Sequence, residues 1–406
     1  MKFFENGDGI TEPRGFFGSG VHCDVKGTRD GKLDLGIIYS KRACSAAGVF
    51  TTNDVKAAPV TYCQGILAEK GATFHGVVAN SGNANACTGP QGETDTKKMA
   101  SEVARHLGVH SKEILVFSTG RIGVLLPMSK ITAGIRAATD DIIREFDGAR
   151  AFQEAILTSD TCTKSCSAKI DTPTGEVTIG GVVKGAGMIE PNMATMLAFL
   201  TTDAGASNAF LQPFLQQAVD RSFNRMTIDG DMSTNDSVVL LANNATGINL
   251  EKEQNKVVER FSEAIEEVCS CLARKCVSDG EKVTKFVKVR VNGAKNDEDA
   301  QKVARCIANS LLVKTSWYGS DPNWGRLVDA AGYAKVGLDF AKLDLFYGHV
   351  PALIDGQPLP ANKSQWKEIV SKKEFTITLD LKMKKGTAEI WTNDLSEEYV
   401  NFNKSE

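Results

Sequence analysis

Lys184-Gly-Ala-Gly-Met-Ile-Glu-Pro-Asn-Met-Ala-Thr-Met-Leu-Ala-Phe-Leu-Thr-Thr-Asp203 is the stretch on which the reading of this 406-residue chain turns. An apolar run, Val177–Val183, predicts a strand that enters a glycine-punctuated bend. Pro191 and Asn192 then break regular structure just before Ala194-Thr195, and a second apolar run follows. A β-branched hydroxyl residue after a small residue, at the mouth of a buried element, can do unusual chemistry. Thr195 Oγ can attack the carbonyl of Ala194, shift the chain to an ester, and let water cut it. The product is an N-terminal Thr whose own α-amine, with an ordinary pKa of about 7.7–8.0, can serve as the base for its hydroxyl. Taken alone, an Ala-Thr step is far more often a buried threonine bonded to a backbone carbonyl. Spacing by itself does not overturn that reading.

The rest of the sequence narrows the field. Apolar residues make up 42% and charged residues 24%, a globular mix that excludes wholesale disorder or a coiled coil. The net charge of −3 argues against a chain built to neutralise a nucleic-acid backbone. No apolar run approaches the roughly 18–20 residues of a membrane span. Met1–Pro13 has no charged-then-apolar leader. The expectation is a soluble cytoplasmic protein with no nucleic-acid or membrane partner.

The ten cysteines form no paired CxxC unit and the five histidines form no HExxH, so inert thiols are expected, His106 and His110 are read as surface residues, and no metal or bound cofactor is expected. Asp229, Asp231, Asn235 and Asp236 superficially suggest calcium, but the EF-hand spacing and closing Glu are missing; polar loop hydrogen bonding is the better reading. None of the glycine-rich strings is a phosphate-binding loop of the Walker or dinucleotide type.

Three-to-four spacing of apolar residues predicts helices over Asp95–Leu107, Ser129–Ala138, Asn208–Arg221, Glu251–Lys275 and Asp297–Leu312. Strands are predicted at Val55–Tyr62, Gly76–Asn80, Ile114–Ser118, Glu176–Val183, Val238–Asn243, Phe286–Val291 and Phe375–Lys382. Helices and strands mix without strict βαβ alternation, which points to a layered α/β architecture with mixed sheets rather than a Rossmann fold.

Lys184–Asp203 resembles the self-cleavage segment of the ornithine acetyltransferases, also called glutamate N-acetyltransferases, of the arginine pathway. Further blocks occur in the same order: Ala47-Gly-Val-Phe-Thr-Thr-Asn53, Lys56-Ala-Ala-Pro-Val60, Asn80-Ser-Gly-Asn-Ala-Asn-Ala-Cys-Thr-Gly89, Ser118-Thr-Gly120, Thr227-Ile-Asp-Gly-Asp231 with Ser233-Thr-Asn-Asp236, Asp279-Gly-Glu281 and Asp321-Pro-Asn-Trp-Gly-Arg326. Together they are highly specific, whereas any one would not be. The resemblance implies an α/β fold of the ornithine acetyltransferase/DmpA type. It implies self-cleavage between Ala194 and Thr195 into chains 1–194 and 195–406 that stay associated, usually as a heterotetramer of two of each.

Roles carry over as expectations of that resemblance. Thr195 is the nucleophile that takes acetyl from N2-acetylornithine as an ester and passes it to glutamate. Thr119 and Gly120 supply the two donors of an oxyanion hole. Thr161, Lys184, Thr195, Glu281 and Asn403 bind substrate, with Lys184 suited to an α-carboxylate and Glu281 to the ornithine ammonium. Glu190, a carboxylate close to the cleavage loop, is expected to face solvent. A monofunctional version recycles acetyl from acetylornithine, and a bifunctional version also uses acetyl-coenzyme A; both remain open. Two rivals stand beside this reading: a DmpA-like aminopeptidase using a similar self-exposed nucleophile, and a metabolite-binding protein that never cleaves itself.

Overall fold

The core of the chain is built from strands whose two faces are both apolar. The computed structural model describes residues 1–142, 146–190 and 196–404. It divides into two compact units, Met1–Asn224 with Met232–Cys276, and Arg225–Asp231 with Val277–Glu406.

The first unit carries β1 (Lys2–Phe4), β2 (Phe16–Val21), β3 (Leu35–Phe50), β4 (Phe74–Asn80), β5 (Ile114–Ser118), β6 (Lys164–Thr172), β7 (Gly175–Lys184), β8 (Leu197–Thr202) and β9 (Ser237–Ala242). They hydrogen-bond in the order β1-β6-β7-β8-β9-β3-β4-β5, with β2 also on β3. The pairs β4–β5 and β8–β9 are parallel and the others antiparallel, giving the expected mixed sheet.

Successive side chains on a strand point to opposite faces. Val77, Leu115, Phe117 and Ile38 therefore join one buried cluster, while their neighbours Val78, Val116 and Ile37 join another. The second cluster is closed by Met99 and Val103 of the helix Gly89–Leu107 and by Ile131 and Ile135 of the helix Met128–Asp140. In the first, Phe199 meets Phe117 and Phe152 edge to face at 5.1 and 5.3 Å. Double-sided burial explains why these strands read as continuous apolar runs rather than alternating ones.

The second unit carries β10 (Phe286–Ala294), β11 (Asp344–Tyr347), β12 (Val350–Ile354), β13 (Gln357–Pro358), β14 (Glu374–Asp380) and β15 (Gly386–Asn393), in the order β13-β12-β11-β14-β10-β15. Only β10–β14 is parallel. Here one face is covered: Val287, Val289 and Val291 pack with Ile377 and Leu379 and with Val303 and Ile307 of the helix Asp297–Asn309. Trp324 lies partly buried against this core.

Most expected elements are present with shifted ends. The helix Asn208–Arg221 and the strand Ile114–Ser118 match residue for residue. One assignment is corrected: Val55–Tyr62 is not a strand, because a helix spans Ala58–Leu67. Its β-branched and aromatic residues suggested a strand, but Pro59 sits in the first turn, where its fixed φ suits a helix start. Val60, Cys63 and Ile66, three apart, turn inward together. Among the described residues no helix is long and apolar enough to cross a membrane. Burial raises the Cys44 and Cys63 thiols to about 12, in keeping with inert buried cysteines.

Replacing Phe199 with Ala deletes the ring shared by two aromatic contacts and leaves a cavity. The expected cost is about 3–5 kcal/mol of unfolding free energy in a urea titration, against about 1–2 for Phe199→Leu. Equal stability of the two variants would contradict this picture of the core.

Candidate active site

Sheet register brings the site together. Lys184 at the end of β7 pairs with Leu197 at the start of β8, and Leu197 pairs with Ser237 at the start of β9. The residues just outside that row, Met196 and Asp236, are joined by a hydrogen bond from the Met196 N–H to Asp236 Oδ1 at 2.9 Å. Ala194 and Thr195, on which the sequence reading places the cleavage, lie outside the described residues.

The parallel pair β4–β5 ends in two interlocked turns. Thr119 N–H donates to Asn80 O at 2.9 Å, Ser118 Oγ donates to Asn80 Oδ1 at 2.7 Å, and Asn80 Nδ2 donates to Asn83 O at 2.9 Å. Asn235 ties the same turns from the other side, donating to Ser118 O at 2.8 Å and Ala84 O at 2.7 Å. Gly120 has φ +133°, and a Cβ there would fall 2.3 Å from the Gly82 carbonyl carbon and 2.4 Å from Asn83 N. Only glycine fits so close an approach of two backbones.

The Lys184 side chain is buried, at 2% exposure, and its Nζ donates to Thr158 Oγ1 at 2.6 Å and Thr119 Oγ1 at 3.3 Å. An ammonium only donates, so the Thr119 oxygen accepts and its own hydrogen is left to point elsewhere. Among the described residues neither that hydroxyl hydrogen nor the Gly120 N–H has an acceptor. Two adjacent donors with unspent hydrogens, next to a cation, are what a developing oxyanion requires.

Behind Lys184 lies Asp160. Its Oδ1 accepts from Lys164 Nζ at 2.7 Å and from Gly185 N–H at 2.6 Å, and its Oδ2 accepts from Thr158 N–H at 3.1 Å and stands 3.9 Å from Lys184 Nζ. The side chains of Asp160 and Lys164 are shut off from solvent. Burial alone would raise the Asp160 pKa, but the Lys184 and Lys164 charges outweigh it and hold the carboxyl below the usual range. Burial pushes Lys184 below its ordinary value, and the Asp160 charge opposes that push. Among the described residues Asp236 has no ion-pair partner of this kind and its Oδ2 has no hydrogen-bond partner, and burial raises it well above the usual carboxylate value.

Thus Thr119, Gly120 and Lys184 come together in the first unit. Thr161 is exposed, one residue from Asp160. In the second unit Asn403 Nδ2 donates to Glu281 Oε2 at 3.1 Å, so those two expected substrate residues meet each other. Glu190 is half-buried rather than facing solvent. Of the calcium-like run, Asp229 accepts from Tyr399 Oη at 3.4 Å, Asn235 bonds the turns above and Asp236 accepts from the Met196 N–H, as the polar-loop reading expected. The sequence reading missed Asp160 and Lys164. Their only sequence trace is an acid with a Lys four residues on, beside the hydroxyls of Thr158-Ser-Asp-Thr161.

Asp160 and Asp236 respond oppositely to pH. A carboxyl held low stabilises the fold above the ordinary value of 3.8 and loses that contribution as pH falls through its depressed pKa. A carboxyl held high contributes fully below 3.8 and loses it as pH rises through its raised pKa. Asp236→Asn removes only the second effect. The Tm of D236N relative to wild type is therefore expected to climb as pH rises above the ordinary carboxylate value of 3.8. A constant difference across that range would mean that Asp236 is not held neutral.

The chain is similar to known proteins along nearly its whole length. The ArgJ family profile matches residues 18–405. The arginine biosynthesis bifunctional protein ArgJ of Thermotoga neapolitana is 44% identical over 395 residues, covering 96% of this chain and 98% of that one. Its counterpart in Symbiobacterium thermophilum is 43% identical over 397 residues, covering 98% of each. The crystal structure of an ornithine acetyltransferase from Mycobacterium tuberculosis, complexed with ornithine, is 37% identical with a TM-score of 0.41, covering 45% of this chain and 94% of that one. With a family match over nearly its whole length, this chain belongs to the ArgJ family.

Proposed function

We propose that the chain is a self-cleaving acetyltransferase of arginine biosynthesis, moving acetyl from N2-acetylornithine to glutamate through an ester on Thr195. The observation that carries this reading is the pair of unspent donors on Thr119 and Gly120, beside the register row where β8 begins two residues after Thr195. The relatives' description as arginine biosynthesis proteins supports the pathway.

In the first step Thr195 Oγ adds to the Ala194 carbonyl, the C–N bond breaks, and water hydrolyses the resulting ester. The sheet explains how the pieces would stay together. β8 lies between β7 from the 1–194 side and β9 from its own side, and β9 pairs in turn with β3. Cutting one peptide bond leaves all those ladders intact.

In the second step the freed Thr195 amine accepts the hydroxyl proton as Oγ adds to the acetyl carbonyl of the donor. The negative charge collects on the carbonyl oxygen, which takes hydrogen bonds from Thr119 Oγ and Gly120 N. The amine then hands its proton to the departing ornithine nitrogen, leaving acetyl-Thr195. Glutamate's amine attacks that ester and regenerates the hydroxyl. Thr161, Glu281 and Asn403 complete the reading as substrate-binding residues, Glu281 receiving the ornithine ammonium. The word bifunctional in the relatives' description favours a second donor, which we take to be acetyl-coenzyme A. The reading extends to a cytoplasmic tetramer of two chains of each kind.

Denatured intact mass should give two fragments, ending at Ala194 and starting at Thr195, and one unbroken chain for Thr195→Ala. An unbroken wild-type chain would remove the nucleophile's base and the mechanism with it. Thr119→Val keeps the shape but loses the donor. Its kcat is expected to drop by about 10²–10³-fold with little change in donor KM. A Thr119→Val enzyme of near wild-type kcat would remove Thr119 from the oxyanion site.

A further inference from the structure

Self-cleavage needs a base that the cleaved enzyme's own mechanism does not supply. Before the cut the Thr195 nitrogen belongs to a peptide bond, so it cannot take the proton of the Thr195 hydroxyl; the free amine exists only afterwards. One carboxyl is bonded to the residue that follows Thr195 in the chain: Asp236, whose Oδ1 accepts from the Met196 N–H at 2.9 Å. We propose that Asp236 is the base of self-cleavage, its Oδ2 taking the proton of the Thr195 hydroxyl and returning it to the Thr195 nitrogen. The proposal rests on the reading of Ala194-Thr195 as the cleavage junction.

The carboxyl is held in place from several sides. Its own carbonyl accepts from Thr51 N–H at 3.0 Å, and the next residue, Ser237, donates its N–H to Met196 O at 3.1 Å. Both backbone groups of Met196 are therefore bonded to the Asp236-Ser237 pair. On the other side Asn235 is fixed to Ala84 O and Ser118 O, in the turns that carry Thr119 and Gly120. Reach follows from covalent structure alone. The Thr195 nitrogen is three bonds from Met196 N and the Thr195 hydroxyl oxygen four, so both lie within about 3–5 Å of the nitrogen that Asp236 grips.

The second oxygen is unspent. Asp236 is fully buried, and among the described residues its Oδ2 has no hydrogen-bond partner. A buried oxygen left in this state is costly, and holding one amide does not require it. The groups that face the carboxyl are Lys184 at the end of β7, the Met196 N–H before β8 and the Ser233 N–H in the loop before β9. Burial raises its pKa well above the usual value against the pull of all three. A carboxylate raised in this way is a stronger base than an ordinary aspartate when ionised. The proton balance closes. Oδ2 takes the hydroxyl proton as Oγ bonds to the Ala194 carbonyl carbon, and the electron pair moves to the carbonyl oxygen. When that pair returns and the C–N bond breaks, the same proton passes from Oδ2 to the Thr195 nitrogen. Water then hydrolyses the ester and Asp236 is again a carboxylate.

The rate of self-cleavage in the full chain tests this. Wild type, Asp236→Asn and Asp236→Glu would be made by cell-free synthesis, synthesis stopped, and the uncleaved fraction followed by denatured intact mass in buffers from about pH 5 to about pH 9. The wild-type rate should rise with pH and then level off as the carboxyl ionises. D236N should be slower by about 10²–10⁴-fold and lack that rise, and D236E should restore both in part. D236N cleaving within about threefold of wild type would overturn the proposal. A slowed D236N that keeps the wild-type pH rise would also overturn it, leaving Asp236 as a clamp on Met196 only. The melting transition of uncleaved D236N, set beside that of uncleaved Thr195→Ala, shows whether the variant folds. Should it not fold, the wild-type profile decides: a rate independent of pH, or one that climbs without levelling, would overturn the role of Asp236. A wild-type chain that stays whole at every pH would instead remove the self-cleavage reading, and this proposal with it.

Discussion

The Asp160 carboxylate, shut away from solvent between Lys164 and Lys184, is the interaction on which the site depends. Burying one charge alone would cost several kcal/mol, and removing a single partner from such a cluster leaves an uncompensated charge inside the protein. The cluster is tolerable because its oxygens are saturated: two N–H groups and two ammonium groups surround one carboxylate. What it secures is placement. The end of β7, the Thr158 turn and the hydroxyl of Thr119 are fixed relative to one another by hydrogen bonds that all lead back to Asp160.

That placement is possible because the sheet is buried on both faces. Parallel β4 and β5 end side by side, so the turns after Asn80 and Ser118 can interlock, and the absent Cβ of Gly120 lets the two backbones touch. The row Lys184, Leu197, Ser237 then sets the other wall, with Asp236 bound to the Met196 amide just beyond it. The pKa values of Asp160 and Asp236 are pushed in opposite directions, down by the lysine charges in one case and up by burial in the other. Carboxyls tuned apart in this way are a common mark of sites that move protons.

Much of this was legible from the sequence, and the reasons for what was not are physical. Ile114–Ser118 and Asn208–Arg221 carry strong local patterns and are found as read. Val55–Tyr62 carries β-branched residues whose strand preference yields to the proline start and inward spacing of a helix. Thr119, Gly120 and Lys184 were identified from family blocks, and their meeting in space follows from strand register that no single block contains. Asp160 was passed over in favour of its neighbour Thr161, because what distinguishes it is tertiary: two lysines arriving from β6 and β7. Lys184 was read as a charge suited to a substrate α-carboxylate; its burial and its bonds to hydroxyls appear only in the fold. The proposed division at Ala194-Thr195 differs in kind from the two compact units, since it would be a chemical junction, and strands from both sides of it share one sheet.

The central claim is a covalent acetyl intermediate on a self-made N-terminal threonine, and trapping it tests that claim most directly. The cleaved enzyme would be mixed with N2-acetylornithine carrying a labelled acetyl group, without glutamate, quenched in acid and mapped by peptide mass. The account predicts label on the peptide that begins with Thr195, stable until glutamate is added and then lost to N-acetylglutamate. Turnover of the donor with no label at Thr195, or loss of the label to free acetate at the same rate with and without glutamate, would contradict it.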